Sequence, residues 1–252
     1  MHLIDSMDWP IIFGHRGASK YAPENTIASF DLALKHGAKA IELDTMLTHD
    51  GIPVVIHDND IKRTTGGLGK VSDLTLTEIR DLDAGSFYSH DYRNEKVPIL
   101  EEVMNRYKEE ILINIELKNY HSPKDNLAEI VLMVVEKTGM LQQVIFSSFL
   151  PRNLRILKSI NPEAKVALLC PTGIVGTLFR SEIYRKISPQ FINPYYKNVN
   201  KEFILREHHR NRRVNVWTVN DSITANELIK GNVDGIITDD PRTMLELLRN
   251  LD

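Results

Sequence analysis

The stretch Ala40-Ile41-Glu42-Leu43-Asp44 is apolar enough to be a buried strand, yet it carries two carboxylates two residues apart. Strand side chains alternate between faces, so Glu42 and Asp44 share one face while Ile41 and Leu43 share the other. Two buried carboxylates side by side repel each other and are costly to desolvate. A cation between them, or a proton kept on one of them, makes the pair tolerable. A solvent-facing strand end or a salt-bridged surface would explain the pair more plainly. The same spacing returns in Ile111 to Leu117 and the residue after it, where Glu116 and Lys118 share a face. That second pair reads either as part of a site or as an ion pair in a barrel core.

Outward from these two strands, short apolar runs alternate with amphipathic helical stretches, the pattern of a parallel α/β sheet. Strands are expected at Ile11–Phe13, Ala40–Asp44, Ile111–Leu117, Val144–Phe146, Lys165–Leu169, Gln190–Ile192, Val214–Trp217 and Gly235–Ile237. Helices are expected between them, among them one with a stripe of Leu127, Ile130, Val131, Val134 and Val135. Eight strand–helix units in 252 residues fit a closed (β/α)8 TIM-type barrel, with the whole chain, 1–252, as one domain. The tight-turn pair Asp50-Gly51 followed by Pro53–Asp58 predicts a hairpin after strand two. Residues 59–96 break the alternation and are expected to form a small inserted cap over the barrel mouth, limiting the substrate to small diesters.

Composition is ordinary for a globular protein: 42% hydrophobic, 26% charged, with 31 basic against 34 acidic residues for a net charge of −3. No global positive field pulls the chain to nucleic acid. Met1 is followed by His2, Asp5 and Asp8, without the basic and apolar regions of a signal peptide, and no apolar run reaches membrane-spanning length. A cytoplasmic protein without stable membrane insertion is the expectation. Cys170, the one cysteine, ends an apolar run and reads as a packing residue. Gly66-Gly67-x-Gly69 lacks the strand–loop–helix context of a nucleotide loop, and Arg210–Arg213 reads as the solvated end of a helix.

In such a barrel, chemistry gathers at the C-terminal ends of the strands. His15 and Arg16 end strand one, Glu42 and Asp44 strand two, Glu116 and Lys118 strand three, Ser147 and Ser148 strand four, Trp217 and Asn220 strand seven, and Asp239 and Asp240 strand eight. Three carboxylates from neighbouring strands make an all-oxygen site suited to Mg²⁺ or Ca²⁺. Of nine histidines, His2, His36, His90, His121, His208 and His209 sit among charges and read as surface groups. His15 and His57 stand apart, each after an apolar run, where two imidazoles facing one carboxylate cluster suit proton transfer near neutral pH. Arg16 offers a bidentate cation for phosphate, or a salt bridge to Glu42 or Glu24.

Taken in order, Gly14-His15-Arg16-Gly17, Pro23-Glu24-Asn25-Thr26, Glu42-Leu43-Asp44, Asp50-Gly51-x-Pro53-Val54-Val55-x-His57-Asp58, Arg63-Thr64-Thr65-x-Gly67, Leu82-Asp83-Ala84-Gly85, Ile115-Glu116-Leu117-Lys118, Trp217-Thr218-Val219-Asn220 and Gly235-Ile236-Ile237-Thr238-Asp239 closely resemble the glycerophosphodiester phosphodiesterase family. The likeness runs from Ile12 to about Pro241. It implies a (β/α)8 barrel with an insertion after strand two, and hydrolysis of small-molecule glycerophosphodiesters to sn-glycerol 3-phosphate and an alcohol. It further implies that Glu42, Asp44 and Glu116 hold a divalent cation, Mg²⁺ or Ca²⁺. By the same likeness His15 and His57 serve as acid and base, Arg16 and Lys118 contact phosphate, and Trp217 lines the substrate pocket. Ile99 stands where a Thr is commoner, Asn211 stands where a Gly is usual, and residues 171–200 match little.

Two rivals are weighed against this. A phospholipase D or phosphoinositide phospholipase C type of the same architecture needs an exposed apolar or basic rim to work at a bilayer. The insertion has aromatics at Phe87, Tyr88 and Tyr92 but no strong amphipathic helix. A non-catalytic phosphate-binding module would be expected to lack one or more of the two histidines and three carboxylates, and all five are present.

Overall fold

In the computed structural model, residues 2–108 and 111–251 are described. The strands are β1 (Ile11–His15), β2 (Ala40–Leu47), β3 (Pro53–Val55), β4 (Leu112–Leu117), β5 (Val144–Ser148), β6 (Lys165–Cys170), β7 (Phe191–Pro194), β8 (Arg213–Val216) and β9 (Gly235–Thr238). Eight of them run parallel in the order β1-β2-β4-β5-β6-β7-β8-β9, and β9 pairs back to β1, so the sheet closes into the expected barrel. β3 alone is antiparallel, the return arm of the hairpin on β2, with Thr45 opposite Val55.

The helices are α1 (Ile27–Lys35), α2 (Lys62–Thr65), α3 (Leu76–Arg80), α4 (Leu100–Arg106), α5 (Leu127–Lys137), α6 (Pro151–Ile160), α7 (Gly173–Phe179), α8 (Glu182–Arg185), α9 (Lys201–His208), α10 (Ser222–Lys230) and α11 (Pro241–Arg249). Caps explain several starts: Thr26 accepts from the Ser29 N–H, Asp221 from Thr224, and Asp240 from Thr243 with Pro241 opening α11. At α4 the Glu102 carboxylate accepts the Ile99 N–H at 3.2 Å. Ile99 has no side-chain oxygen to return the bond, so half of the capping box is missing where a threonine would complete it.

Strand alternation divides the core. Ile41, Leu43, Ile113, Ile115, Val166 and Leu168 face outward and pack under the helices in one large apolar layer. The barrel's inside holds Ile11, Phe13, Ala40, Leu112, Ile145, Ala167, Phe191 and Ile237, and a short 3-10 turn at Leu3–Ser6 adds Ile4 to this cluster. This N-terminal turn corrects the reading of His2 as a surface group: it is buried, with Nε2 3.1 Å from the Val144 carbonyl. Residues 59–96 form a third cluster, with Ile61, Val71 and Ile79 packed on Met46 and Val54 of the hairpin.

Arg212 likewise overturns the solvated reading of Arg210–Arg213. It is buried, its Nη1 3.3 Å from Glu207 and its Nε donating to the Phe191 carbonyl. Neither charge is legible as buried from sequence, because the turn that folds Arg212 under α9 depends on Asn211 at φ +54°. That left-handed conformation is why a glycine suits the position. It yields a direct prediction. Asn211→Ala lowers the unfolding free energy by about 1 kcal/mol, measured by denaturant unfolding, while Asn211→Gly does not; equal losses in both variants would show that φ at this position is not the constraint.

Candidate active site

Strand register brings the site residues together. His15 pairs with Glu42 across β1–β2, and Asp44 pairs with Glu116 across β2–β4, all at the C-terminal ends. Ligand oxygens of Glu42, Asp44 and Glu116 lie within 4.8 Å of one another, a set that could hold a metal ion. Glu42 and Asp44 are buried and Glu116 nearly so. Burial, then repulsion from Asp44 and Glu116, pushes the Glu42 carboxyl well above the usual carboxylate range. Asp44 goes the other way. Burial would raise it too, but Arg16 and Lys118 hold it well below its usual value.

Arg16 is built into this position by the backbone. It is left-handed at φ +54°, between glycines that permit a tight turn: a Cβ on Gly14 would lie 2.7 Å from the Gly17 carbonyl oxygen. Its own N–H donates to Glu42 at 3.2 Å, its Nη1 to Glu24 at 2.8 Å, and its Nε sits 3.2 Å from Asp44. The salt bridge weighed from sequence therefore exists, with Glu24, and the same cation faces the carboxylate cluster. Lys118 is 3.3 Å from Glu116 and 3.7 Å from Asp44. Against the desolvation of its own charge, those two carboxylates raise its pKa.

Both histidines are held the same way. His15 Nδ1 is 2.6 Å from Asp239, and His57 Nδ1 is 2.6 Å from Asp58. His15 so bound turns Nε2 to the site, 3.8 Å from Glu42, and His57 lines the same cavity. Asp239 also accepts from Ser19 and Asn220, and these bonds with His15 outweigh burial to bring its pKa down to about 2. His57 is returned to the mouth because the Ile56 N–H donates to the Asp44 carbonyl at 3.0 Å. Asp58 is tied to Arg63, which continues to Glu24 at 2.7 Å. The insertion thus braces the β1–α1 loop, where Tyr88 and Tyr92 also donate to the Lys20 and Tyr21 carbonyls.

A cavity of about 120 Å³ opens among His15, Arg16, Glu42, His57, Glu116, Lys118 and Trp217. Its walls include Asn114, Phe149 and Leu169, and none of residues 59–96. Trp217 is fixed by its indole N–H on the Asn193 carbonyl at 2.7 Å and by an edge-to-face contact with Phe149. A larger groove of about 900 Å³ lies between α9 and α10, away from this chemistry.

All eight candidate residues converge at one mouth. Several neighbours were not singled out from sequence. Asn25, read as part of a helix opening, is buried and donates to Asp44 at 2.9 Å. Asn114 was findable, since the period of two that joins Glu116 to Lys118 also includes it. Tyr120, whose hydroxyl donates to Glu116 at 2.6 Å, and the buttress Asp58 needed the loops to be placed, as did the role of Asp239, which the sequence puts at the end of strand eight without its histidine partner.

Comparison with known proteins follows the same outline. A glycerophosphodiester phosphodiesterase of Caldanaerobacter subterraneus subsp. tengcongensis is 38% identical over 243 residues, covering 95% of this chain and 98% of the relative. Among solved structures, an Oleispira antarctica phosphodiesterase in complex with the product sn-glycerol-3-phosphate superposes with a TM-score of 0.82 at 27% identity, covering 95% of this chain and 97% of that one. A glycerophosphodiester phosphodiesterase from Thermotoga maritima superposes with a TM-score of 0.76 at 27% identity, covering 96% and 99%. The model of the glycerophosphoryl diester phosphodiesterase family matches residues 15–243. The chain belongs to the glycerophosphoryl diester phosphodiesterase family.

Proposed function

We propose that this chain hydrolyses glycerophosphodiesters to sn-glycerol 3-phosphate and an alcohol, as a single barrel domain in which residues 59–96 are an inserted cap. The observation that carries the reading is the pairing of two carboxylate-anchored histidines with a buried three-carboxylate cluster around one small cavity. The named activity of the Caldanaerobacter relative and the product bound by the Oleispira enzyme support it.

Glu42, Asp44 and Glu116 are the residues that would hold a divalent cation, Mg²⁺ or Ca²⁺. Their all-oxygen donor set fits such an ion, and burial, with repulsion from Asp44 and Glu116, raises the Glu42 carboxyl, so a cation placed among the three would relieve that repulsion. When bound, the cation supplies charge neutralisation at the phosphodiester's nonbridging oxygens. Arg16 and Lys118 add fixed positive charge at the same place and orient the phosphate. Trp217, locked by Asn193 and backed by Phe149, walls the cavity against the substrate's carbon skeleton.

His15 and His57 divide the proton work. With Nδ1 held by a carboxylate, each ring moves a proton only at Nε2. One takes the proton of the attacking hydroxyl and the other gives one to the departing alkoxide. The attacker is water, or the substrate's own glycerol 2-hydroxyl, already tethered beside phosphorus, which expels the alcohol to give a cyclic phosphate that water then opens to sn-glycerol 3-phosphate.

Two measurements check this. Chelator-treated protein loses hydrolysis and recovers it with Mg²⁺ or Ca²⁺, and Glu116→Gln shifts the required ion concentration upward; full activity after chelation would remove the metal from the reading. For the histidines, kcat/KM is compared on glycerophosphocholine and on a nitrophenyl diester. Nitrophenolate leaves with little help, so the variant lacking the acid loses on the order of 10²–10⁴-fold on glycerophosphocholine and much less on the nitrophenyl diester. The variant lacking the base loses both alike. If His15→Ala or His57→Ala keeps near-normal activity on glycerophosphocholine, that residue transfers no essential proton.

A further inference from the structure

The connection from β6 to β7 is unlike the others in the barrel. It consists of the short helices α7 and α8, of which α7 buries only Gly176 and α8 buries nothing. By contrast α5 and α6 bury Leu127, Val131, Leu154 and Leu157 against the strands. Yet α7 and α8 are rich in large apolar residues, and these face solvent: Ile174 is 90% exposed, Ile183 73%, Val175 52% and Leu178 46%. These are four of the twelve exposed large apolar side chains among the described residues, gathered within ten positions. Folding does not explain them. Phe179 and Tyr184, their ring centroids 4.8 Å apart at a tilt of 42°, already anchor the segment to the core, and a Cβ on Gly176 would overlap the Pro171 carbonyl oxygen, so α7 is pressed onto the end of β6.

Charge says what covers the patch. Residues 171–188 carry Arg180, Arg185 and Lys186 against Glu182 alone, on a chain whose net charge is −3. Glu182 is spent on Arg185 at 2.7 Å and Arg210 at 2.5 Å. Arg180 is half-buried, with Nη2 donating to the Thr177 hydroxyl, so the cations left at the surface are Lys186 and Lys197, which are exposed and make no ion pair among the described residues. A second copy related by a two-fold axis would set these cations against themselves. A surface that is apolar within and anionic at its face satisfies both features at once. We propose that α7 and α8 dock this protein on an anionic phospholipid bilayer. Because α7 begins three residues beyond the C-terminal end of β6, docking would place the site's end of the barrel beside lipid headgroups. The rim is in residues 171–200, the part of the chain that departs most from the family pattern, and it supplies what the insertion lacks.

The test is sedimentation of the full chain with vesicles of phosphatidylcholine alone and of phosphatidylcholine mixed with phosphatidylglycerol. The protein pellets with the mixed vesicles, weakly with phosphatidylcholine alone, and binding falls as salt is raised. Ile174→Glu with Ile183→Glu, both on exposed positions, reduces partitioning on the order of 100-fold. Lys186→Gln with Lys197→Gln abolishes the preference for phosphatidylglycerol. Unchanged thermal unfolding confirms that the variants fold, independently of any hydrolytic activity. Protein that stays in the supernatant with mixed vesicles overturns the proposal. So does an isoleucine variant that binds like the parent, or a dimer in analytical ultracentrifugation that the same isoleucine changes dissolve, which would make a second copy the occupant.

Discussion

Three carboxylates crowded within 4.8 Å inside a barrel mouth are the constraint to which the surrounding structure answers. Left alone, Glu42, Asp44 and Glu116 would repel one another and lose most of their hydration. The chain meets this with opposite charge brought in at a conformational cost. Arg16 accepts a left-handed backbone to sit against Asp44 and Glu42, and Lys118 is carried in by the alternation that also points Glu116 inward. Asn25, also left-handed, donates to Asp44. These compensations are unequal. Asp44 is held ionised, while Glu42, with fewer cations at hand, is driven toward its neutral form. A barrel core could be filled more cheaply with aliphatic side chains, as its other end is, and strain concentrated in one place is a mark of function.

A second ring of interactions holds the first in place. Asp239 and Asp58 orient the two imidazoles, and each is itself fixed, by Ser19 and Asn220 in one case and by Arg63 in the other. Arg63 then reaches Glu24, which holds Arg16. A path of charged contacts therefore runs from His57 through the insertion to the cation that faces the carboxylates. This gives residues 59–96 a structural role at the mouth although they line none of the cavity.

Much of this was legible in the chain. The eight strand–helix units follow from apolar periodicity, and Glu42 beside Asp44 on one face follows from the strand repeat alone. His57 was placed at the mouth because Asp50-Gly51 marks a hairpin. What escaped depends on contacts distant in sequence. Nothing local distinguishes Arg212, which is buried under α9, from Arg210, nor says that His2 binds the Val144 carbonyl. Asp239 reads as one of two acidic residues closing a strand until the loop after β8 brings Asn220 against it. Residues 172–188 resisted for another reason: the two short helices they form turn their large apolar side chains outward, so no stripe marks a buried face.

The central claim is that Glu42 is retained at a cost in stability that a bound cation repays. A group whose folded pKa is raised binds its proton more tightly when folded, so the ion-free protein loses stability as pH rises above the usual carboxylate range and through that raised value. The most direct measurement is thermal unfolding of chelator-treated protein at neutral to mildly alkaline pH, for the parent and for Glu42→Gln, with and without added Mg²⁺ or Ca²⁺. Without ion, Glu42→Gln should melt higher than the parent; with ion, the parent should gain stability and the variant should gain much less. A parent protein whose melting temperature neither ion changes, together with a Glu42→Gln variant less stable than it, would contradict the claim.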